Sequence, residues 1–134
     1  MTKLRVLVVE DEVLIADYIA LELEDAGHEV IGTPATANDA LAILGSQSPD
    51  LVLCDISLKG DRDGIQLVDE MRSQGITSPH AFISGSGDPE TRARAEATKP
   101  LAFLQKPFDY QKLITVLTKV PTFPSSKAES GNQQ

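Results

Sequence analysis

The chain has 134 residues, the length of a single domain, and its 41% apolar and 24% charged residues are usual for a globular protein. The net charge of −8 argues against a nucleic-acid-binding face, and the single cysteine, Cys54, excludes a disulfide framework and a cysteine-rich metal site. No apolar run is long enough to cross a membrane, and the N-terminus lacks the layout of a signal peptide, so we expect a cytoplasmic protein.

The first part of the chain predicts two strand–helix units. Residues 4–9 form a valine-rich run typical of a fully buried strand, and apolar side chains recur at helical spacing over residues 13–26. A second strand is predicted over residues 29–33. The helix after it is predicted to begin at Asn38, a good N-cap residue, and to continue through Leu44.

Three further strand–helix units follow. Their predicted strands are residues 51–55, 81–84 and 101–105. Their helices are marked by Ile65, Val68 and Met71, then by Pro89 in a first turn, and finally by Leu113, Val116, Leu117 and Val120. Five strands alternating with five helices predict a parallel sheet covered on both faces. Because five units are too few for the eightfold barrel, we predict an open, doubly wound α/β sheet.

The composition changes at Pro121, after which Pro, Ser, Lys, Glu, Gly and Gln dominate. We therefore expect one domain over residues 1–120 and a flexible tail or linker stub over residues 121–134. The start at Met1 and the polar ending favour a stand-alone domain over one cut from a longer chain.

Polar residues with useful chemistry follow the predicted strands. They are Glu10, Asp11 and Glu12 after the first strand, Asp55 at the end of the third, Ser84 at the end of the fourth, and Lys106 after the fifth. The carboxyl ends of the strands are where open α/β sheets bind ligands. Closely spaced carboxylates repel one another and favour a hard divalent cation such as Mg²⁺. A carboxylate beside that cation can attack phosphorus, while the cation and a lysine neutralise charge on the phosphoryl oxygens.

In their order and spacing, these residues resemble the receiver domain of the bacterial two-component response regulators. The resemblance runs from Lys3 to about Lys119 and includes Lys106-Pro107-Phe108. It implies a flavodoxin-like (βα)5 fold with strand order 2-1-3-4-5. It also implies a signalling switch rather than an enzyme with a separate substrate.

The resemblance assigns a role to each matching residue near the metal. Asp55 would be the phospho-acceptor, and it would also bind Mg²⁺. Asp11 would be the main metal carboxylate, and Glu10 would act mostly through bound water. The backbone carbonyl of Ser57 would complete the protein ligands.

The same resemblance assigns the residues that respond to the phosphoryl group. Lys106 would contact the phosphoryl group, and in the unmodified state it would pair with Asp55. The peptide bond between Lys106 and Pro107 would be cis. Ser84 would swing toward the phosphate, and Phe103 would be an aromatic switch that turns inward. The change would be read on the face formed by the fourth helix, the fifth strand and the fifth helix.

The sequence departs from the family pattern in the loop after the acceptor. Lys59 occupies a position where the family usually has a proline, and the loop is about one residue longer than the commonest form. Ser57 and Ser86 occupy the two positions that usually tune phosphate lifetime, and both are small and polar.

The partners implied by the resemblance are a sensor histidine kinase or a histidine phosphotransfer protein as donor, and a downstream protein target. A phosphorylation-linked homodimer is a further option, whereas nucleic acid and membrane are not expected partners. Three alternatives stay open: a pseudo-receiver that binds partners without phosphorylation, a haloacid-dehalogenase-type phosphatase, and a flavodoxin-like FMN carrier. The phosphatase family requires a second acid where Ser57 stands, and the FMN carrier would need a phosphate loop that is absent here.

Several other polar residues receive no functional role from the sequence. Neither His28 nor His80 has the spacing of a metal ligand. The basic residues Arg92, Arg94 and Lys99 are predicted to form a solvated helix face.

Overall fold

The computed structural model describes residues 3–85 and 87–121. Ser86 and the predicted tail beyond residue 121 lie outside the described residues. The strands are β1 (Arg5–Val9), β2 (Glu29–Gly32), β3 (Leu51–Asp55), β4 (His80–Ser84) and β5 (Phe103–Gln105). The helices are α1 (Val13–Asp25), α2 (Ala37–Leu44), α3 (Gly64–Ser73), α4 (Pro89–Ala97) and α5 (Tyr110–Leu117). No helix in the described part of the chain is both long and apolar enough to span a membrane.

The five strands form one parallel sheet in the order β2-β1-β3-β4-β5, which confirms the predicted fold class and strand order. Alternate residues of each central strand enter different cores, since successive side chains point to opposite faces. In β1, Leu7 and Val9 pack toward α2 and α3, whereas Val6 and Val8 pack toward α1 and α5. Burial on both faces explains why the central strands are almost continuously apolar.

Several element boundaries lie one to three residues from their predicted positions. The N-cap of α2 is Thr36, whose Oγ1 accepts a hydrogen bond from the backbone N–H of Asp39 at 3.2 Å, so the prediction of Asn38 is wrong. Thr36 has the extended backbone that a cap requires, and the Asn38 side chain accepts a hydrogen bond from Arg62 instead. The fifth strand is two residues shorter than predicted and begins at Phe103.

Glycine at position 64 lets α3 begin directly against the end of β3. The backbone N–H of Gly64 donates to the Ile56 carbonyl at 2.8 Å. A Cβ at this position would lie 2.2 Å from the Asp55 carbonyl oxygen and 2.9 Å from Cys54 Sγ. Because real Cβ atoms do not approach backbone so closely, any larger residue would displace the end of β3 or the start of α3.

We expect Gly64→Ala to lower the free energy of unfolding by about 2 kcal/mol or more, the cost of overpacking a well-filled site. The matched control is Gly45→Ala, since a Cβ at Gly45 would lie 3.5 Å from its nearest neighbour and the residue already has helical dihedrals. The control should change stability by less than about 0.5 kcal/mol. Urea denaturation of both variants measures the difference, and equal stabilities would contradict the steric account.

His80 is buried at the start of β4, and each of its ring nitrogens has a polar neighbour. It is 2% exposed, its Nε2 lies 2.9 Å from Thr98 Oγ1, and its Nδ1 lies 3.1 Å from an Arg72 guanidinium nitrogen. The ring also packs edge-on against Phe82. Burial, together with the positive charge of Arg72, lowers the pKa of His80 to about 4.

This pKa shift predicts a loss of stability in acid. Between pH 6.5 and about 4 the unfolded chain protonates His80 while the folded chain keeps it neutral, so protonation favours unfolding. We expect this residue alone to lower the free energy of unfolding by about 3 kcal/mol across that interval. His80→Gln should therefore show a shallower decline than the wild type when unfolding is measured from pH 7 to pH 4. Parallel declines would contradict the prediction.

Candidate phospho-acceptor site

The predicted metal-binding and phospho-acceptor residues and Lys106 meet at the carboxyl edge of the sheet, beside the junction of β1 and β3. A pocket of about 400 Å³ lies there. Its lining residues are Asp11, Glu12, Asp55, Ser57, Lys59, Gly85 and Lys106. Val9 of β1 pairs with Cys54 of β3, so the residues that follow them in the chain, Glu10 and Asp55, lie side by side.

Three carboxylates form a compact cluster at this edge. One oxygen each from Glu10, Asp11 and Asp55 lies within 4.8 Å of the other two. Glu10 and Asp55 are each only 2% exposed. Burial, reinforced by the neighbouring Asp55 carboxylate, raises the pKa of Glu10 to about 7. Full ionisation of all three carboxyl groups therefore requires positive charge close to the cluster.

One ammonium group balances part of this charge. Lys106 Nζ donates to Glu12 Oε1 at 2.9 Å and to Asp55 Oδ2 at 3.4 Å, and it lies 3.1 Å from Glu10 Oε1. Although burial acts in the opposite direction, the hydrogen bond that Lys106 donates to Glu12 and the negative charges of Glu10 and Asp55 raise the pKa of Lys106 above its usual value. The predicted pairing of Lys106 with Asp55 is thus present in the structure, and the Lys106–Pro107 bond is cis as predicted.

The donor set fits a hard divalent cation such as Mg²⁺. The contact of Glu10 Oε1 with Lys106 lacks hydrogen-bond geometry, so no donor in residues 3–85 and 87–121 satisfies this buried oxygen. An unsatisfied buried carboxylate oxygen beside two further acids is the ligand that such a cation prefers. Asp55 Oδ1 already accepts the backbone N–H of Ser57 at 3.2 Å, which places the loop after β3 against the cluster.

Lys59 contributes to the cluster through its backbone. Its N–H donates to Asp11 Oδ2 at 2.9 Å, and its side chain helps to line the pocket. Proline at this position could not make the hydrogen bond, because proline has no N–H. The departure from the family pattern therefore adds a donor that orients Asp11.

The two predicted switch residues lie together, outside the Asp55 pocket. Ser84 and Phe103 both line a small cavity of about 30 Å³ between the sheet and α4. The half-buried Phe103 ring lies 6.0 Å from the Phe82 ring, and the Arg92 guanidinium carbon lies 3.8 Å from the Phe103 centroid.

Sequence reasoning missed two features of this edge. Glu12 was grouped with the other acids without a role, yet it makes the shortest contact to Lys106. Both arginines of α4 are exposed, as predicted, but each also has a partner on another element: Arg92 stacks on Phe103, and Arg94 pairs with Asp63 at 3.2 Å. Spacing on the helix gives no signal for such contacts, since both partners belong to other elements.

Comparison with known proteins agrees with this geometry. The family model of the response regulator receiver domain matches residues 6–118 of the chain. The chain belongs to the response regulator receiver family. Among solved structures, this receiver domain is similar to the receiver domain of NtrX from Brucella abortus, with 40% identity, a TM-score of 0.78, and coverage of 86% of this chain and 96% of that one.

Two further similarities show the breadth of the family. The signal receiver domain of a modulated diguanylate cyclase from Desulfovibrio desulfuricans G20 has 31% identity and a TM-score of 0.82, over 89% of this chain and 94% of that one. The nitrogen assimilation regulatory protein NtrX of Azorhizobium caulinodans is 35% identical over 112 residues, which are 83% of this chain and 24% of the relative. The receiver domain thus spans about a quarter of that curated relative.

The Lys59 hydrogen bond predicts a difference between two substitutions at one position. Lys59→Pro removes the N–H that holds Asp11, whereas Lys59→Ala keeps the N–H and removes only the side chain. Because a hydrogen bond to a carboxylate contributes about 1.5–3 kcal/mol, we expect Lys59→Pro to weaken Mg²⁺ binding about tenfold. Lys59→Ala should stay within about twofold of the wild type, since the lost charge is exposed and screened.

Calorimetric titration of each variant with MgCl₂ measures these affinities, and circular dichroism checks that each variant is folded. Equal weakening in the two variants would mean that the side chain, not the backbone N–H, supports the site. An unchanged affinity in folded Lys59→Pro would contradict the orienting role altogether.

Proposed function

We propose that this receiver domain takes a phosphoryl group from a phosphohistidine onto Asp55, with Mg²⁺ bound at the acidic cluster, and thereby acts as a two-component signalling switch. The observation that carries the proposal is the environment of Asp55. Its carboxylate lies at the end of a central strand, contacts Lys106, and shares a cluster with Glu10 and Asp11. These are the groups that a carboxylate nucleophile needs for phosphoryl transfer.

The residues divide the chemistry between them. An Asp55 oxygen forms the new O–P bond as the P–N bond of the donor histidine breaks, so the phosphoryl group moves and the imidazole leaves. The Ser57 N–H holds Asp55 Oδ1, which fixes the orientation of the carboxylate. Lys106 neutralises charge on the phosphoryl oxygens in the transition state. Mg²⁺, held by Glu10, Asp11, Asp55 and the proposed Ser57 carbonyl, would supply further positive charge there.

The donor surface that we propose is the exposed apolar side of α1. Val13 and Leu14 are 70% and 83% exposed, which is unusual for large apolar side chains. A groove of about 430 Å³ runs from this side of α1 past Tyr18 to the Asp55 pocket, with Lys106 and Gly85 lining both. A kinase or phosphotransfer helix seated on this apolar surface would present its phosphohistidine to Asp55.

The response would be transmitted through β4 and β5. A phosphoryl group adds a charge of about −1.5 to −2 and new acceptor oxygens, to which Ser84 and Lys106 can turn. Movement of Ser84 would alter the cavity that it shares with Phe103, and Phe103 in turn contacts Arg92 of α4. The proposed output face is therefore the one formed by α4, β5 and α5, where a downstream target or a second copy would bind.

The alternatives fit the site less well. A phosphatase of the haloacid dehalogenase type needs a second acid two residues after its nucleophile, and Ser57 stands there. A pseudo-receiver would have no use for Lys106 seated among Asp55, Glu10 and Glu12. The cytoplasmic location and the lack of nucleic-acid binding stay predictions from composition.

The proposal predicts that the wild type gains the mass of one phosphoryl group when incubated with acetyl phosphate and Mg²⁺. Asp55→Asn should gain none, because the amide is not a nucleophile, and EDTA should abolish the gain in the wild type. Intact-mass spectrometry measures the addition. Retained thermal unfolding of Asp55→Asn confirms that the fold is intact. A folded, Mg²⁺-supplied wild type that accepts nothing from acetyl phosphate or from histidine kinases would favour the pseudo-receiver.

A further inference from the structure

Glu12 makes the shortest carboxylate contact to Lys106. The Nζ–Oε1 distance is 2.9 Å, against 3.1 Å to Glu10 Oε1 and 3.4 Å to Asp55 Oδ2. The Lys106 side chain is 17% exposed and that of Glu12 is 58% exposed, so the contact lies at the mouth of the pocket. Glu12 is outside the compact set of Glu10, Asp11 and Asp55.

Glu12 directly precedes α1, but its side chain does not stabilise the helix. Glu12 is the N-cap of α1, yet its side chain makes no capping hydrogen bond. The best cap residues are Asn, Asp, Ser and Thr, whose short side chains reach the helix N–H groups. Only the backbone of Glu12 joins the local structure, through its N–H to Glu10 Oε2 and its carbonyl to the Ala16 N–H. The carboxylate is left to bind Lys106.

We propose that Glu12 is a positioning residue that competes with the phosphoryl group for Lys106. This inference rests on the proposed function of Asp55. A cation at the cluster would bind Glu10, Asp11 and Asp55. Glu12 would then be the carboxylate that keeps Lys106 at the pocket mouth. For Lys106 to neutralise the phosphoryl oxygens, it has to leave Glu12. The contact therefore slows transfer and sets the rate at which small donors phosphorylate Asp55.

Glu12 acts on the donor in two separable ways. Its contact with Lys106 withholds the ammonium from the transition state, which lowers the maximal rate. Its negative charge at the pocket mouth repels an anionic donor, which raises the donor concentration needed for half-maximal rate. Glu12→Gln removes both effects. Glu12→Asp keeps the charge but is one methylene shorter, so it loses the contact.

The test is the rate of Asp55 phosphorylation over a range of acetyl phosphate concentrations at constant ionic strength, with acetate as the leaving group. We expect Glu12→Gln to raise the maximal rate about fivefold and to lower the half-saturating concentration. Glu12→Asp should raise the maximal rate similarly and leave the half-saturating concentration unchanged. Asp17→Asn is the matched control, because it removes the same charge from an exposed residue further along α1, and it should match the wild type.

A second measurement follows occupancy rather than rate. Trifluoroberyllate, which has the shape and charge of a phosphoryl group, should bind Asp55 about fivefold more tightly in Glu12→Gln than in the wild type when followed by ¹⁹F NMR. A merely structural role of Glu12 would weaken binding or leave it unchanged.

The outcomes separate this inference from the proposed function. A wild type that is phosphorylated on Asp55, with Glu12→Gln and Glu12→Asp at the same maximal rate or slower, would overturn the role of Glu12 alone. A maximal rate raised by Glu12→Gln but not by Glu12→Asp would also overturn it, because charge and not contact would then be responsible. A wild type that accepts no phosphoryl group would overturn the proposed function and this inference with it.

Discussion

The burial of like charges at the end of β1 and β3 is the constraint on which the rest of this structure depends. Glu10 and Asp55 are both nearly inaccessible to water, and an Asp11 oxygen lies within 4.8 Å of an oxygen of each. Removing a charge from water costs several kcal/mol, and the neighbouring anions repel, so the cluster is stable only with positive charge nearby. Lys106 supplies one such charge and shares it among several carboxylates. The remaining negative charge makes this edge a favourable place for a divalent cation and for phosphoryl transfer.

The sheet holds this unfavourable arrangement in place. Both central strands are buried on two faces, and the Ile56 N–H continues the pairing beyond β3 by donating to the Ile83 carbonyl at 3.0 Å. On the other side, Gly64 brings the start of α3 against the carbonyl of Asp55. The backbone of Asp55 is therefore fixed by a neighbouring strand and by a helix terminus. A preorganised carboxylate of this kind loses little freedom when it reacts.

The parts of the site that could be predicted from the sequence are those set by local pattern. An apolar run predicts a buried strand, and the acid that follows it must emerge at the carboxyl edge, which is why Asp55 and Glu10 were identified correctly as neighbours. The partner of Glu12 could not be predicted, because Lys106 is 94 positions away and the choice among several acids depends on side-chain conformation. The cap of α2 was misplaced for a related reason, since Thr36 and Asn38 are both good caps and the backbone dihedrals decide between them.

The attachment of α4 bears on the proposed switch, because this helix is held against the sheet by little apolar surface. Of the residues in Pro89–Ala97, Ala95 alone is buried, so the helix has no apolar stripe to hold it against the sheet. Its side-chain attachments include the Arg94 ion pair with Asp63, at the start of α3, and the Arg92 stack on Phe103. Polar and cation–π contacts at a surface each contribute about 1 kcal/mol or less. A helix held in this way can exchange one set of partners for another at small cost, whereas a helix with an interdigitated apolar face would resist. The weak packing of α4 is thus the property that would suit this domain to the proposed two-state switch driven by charge.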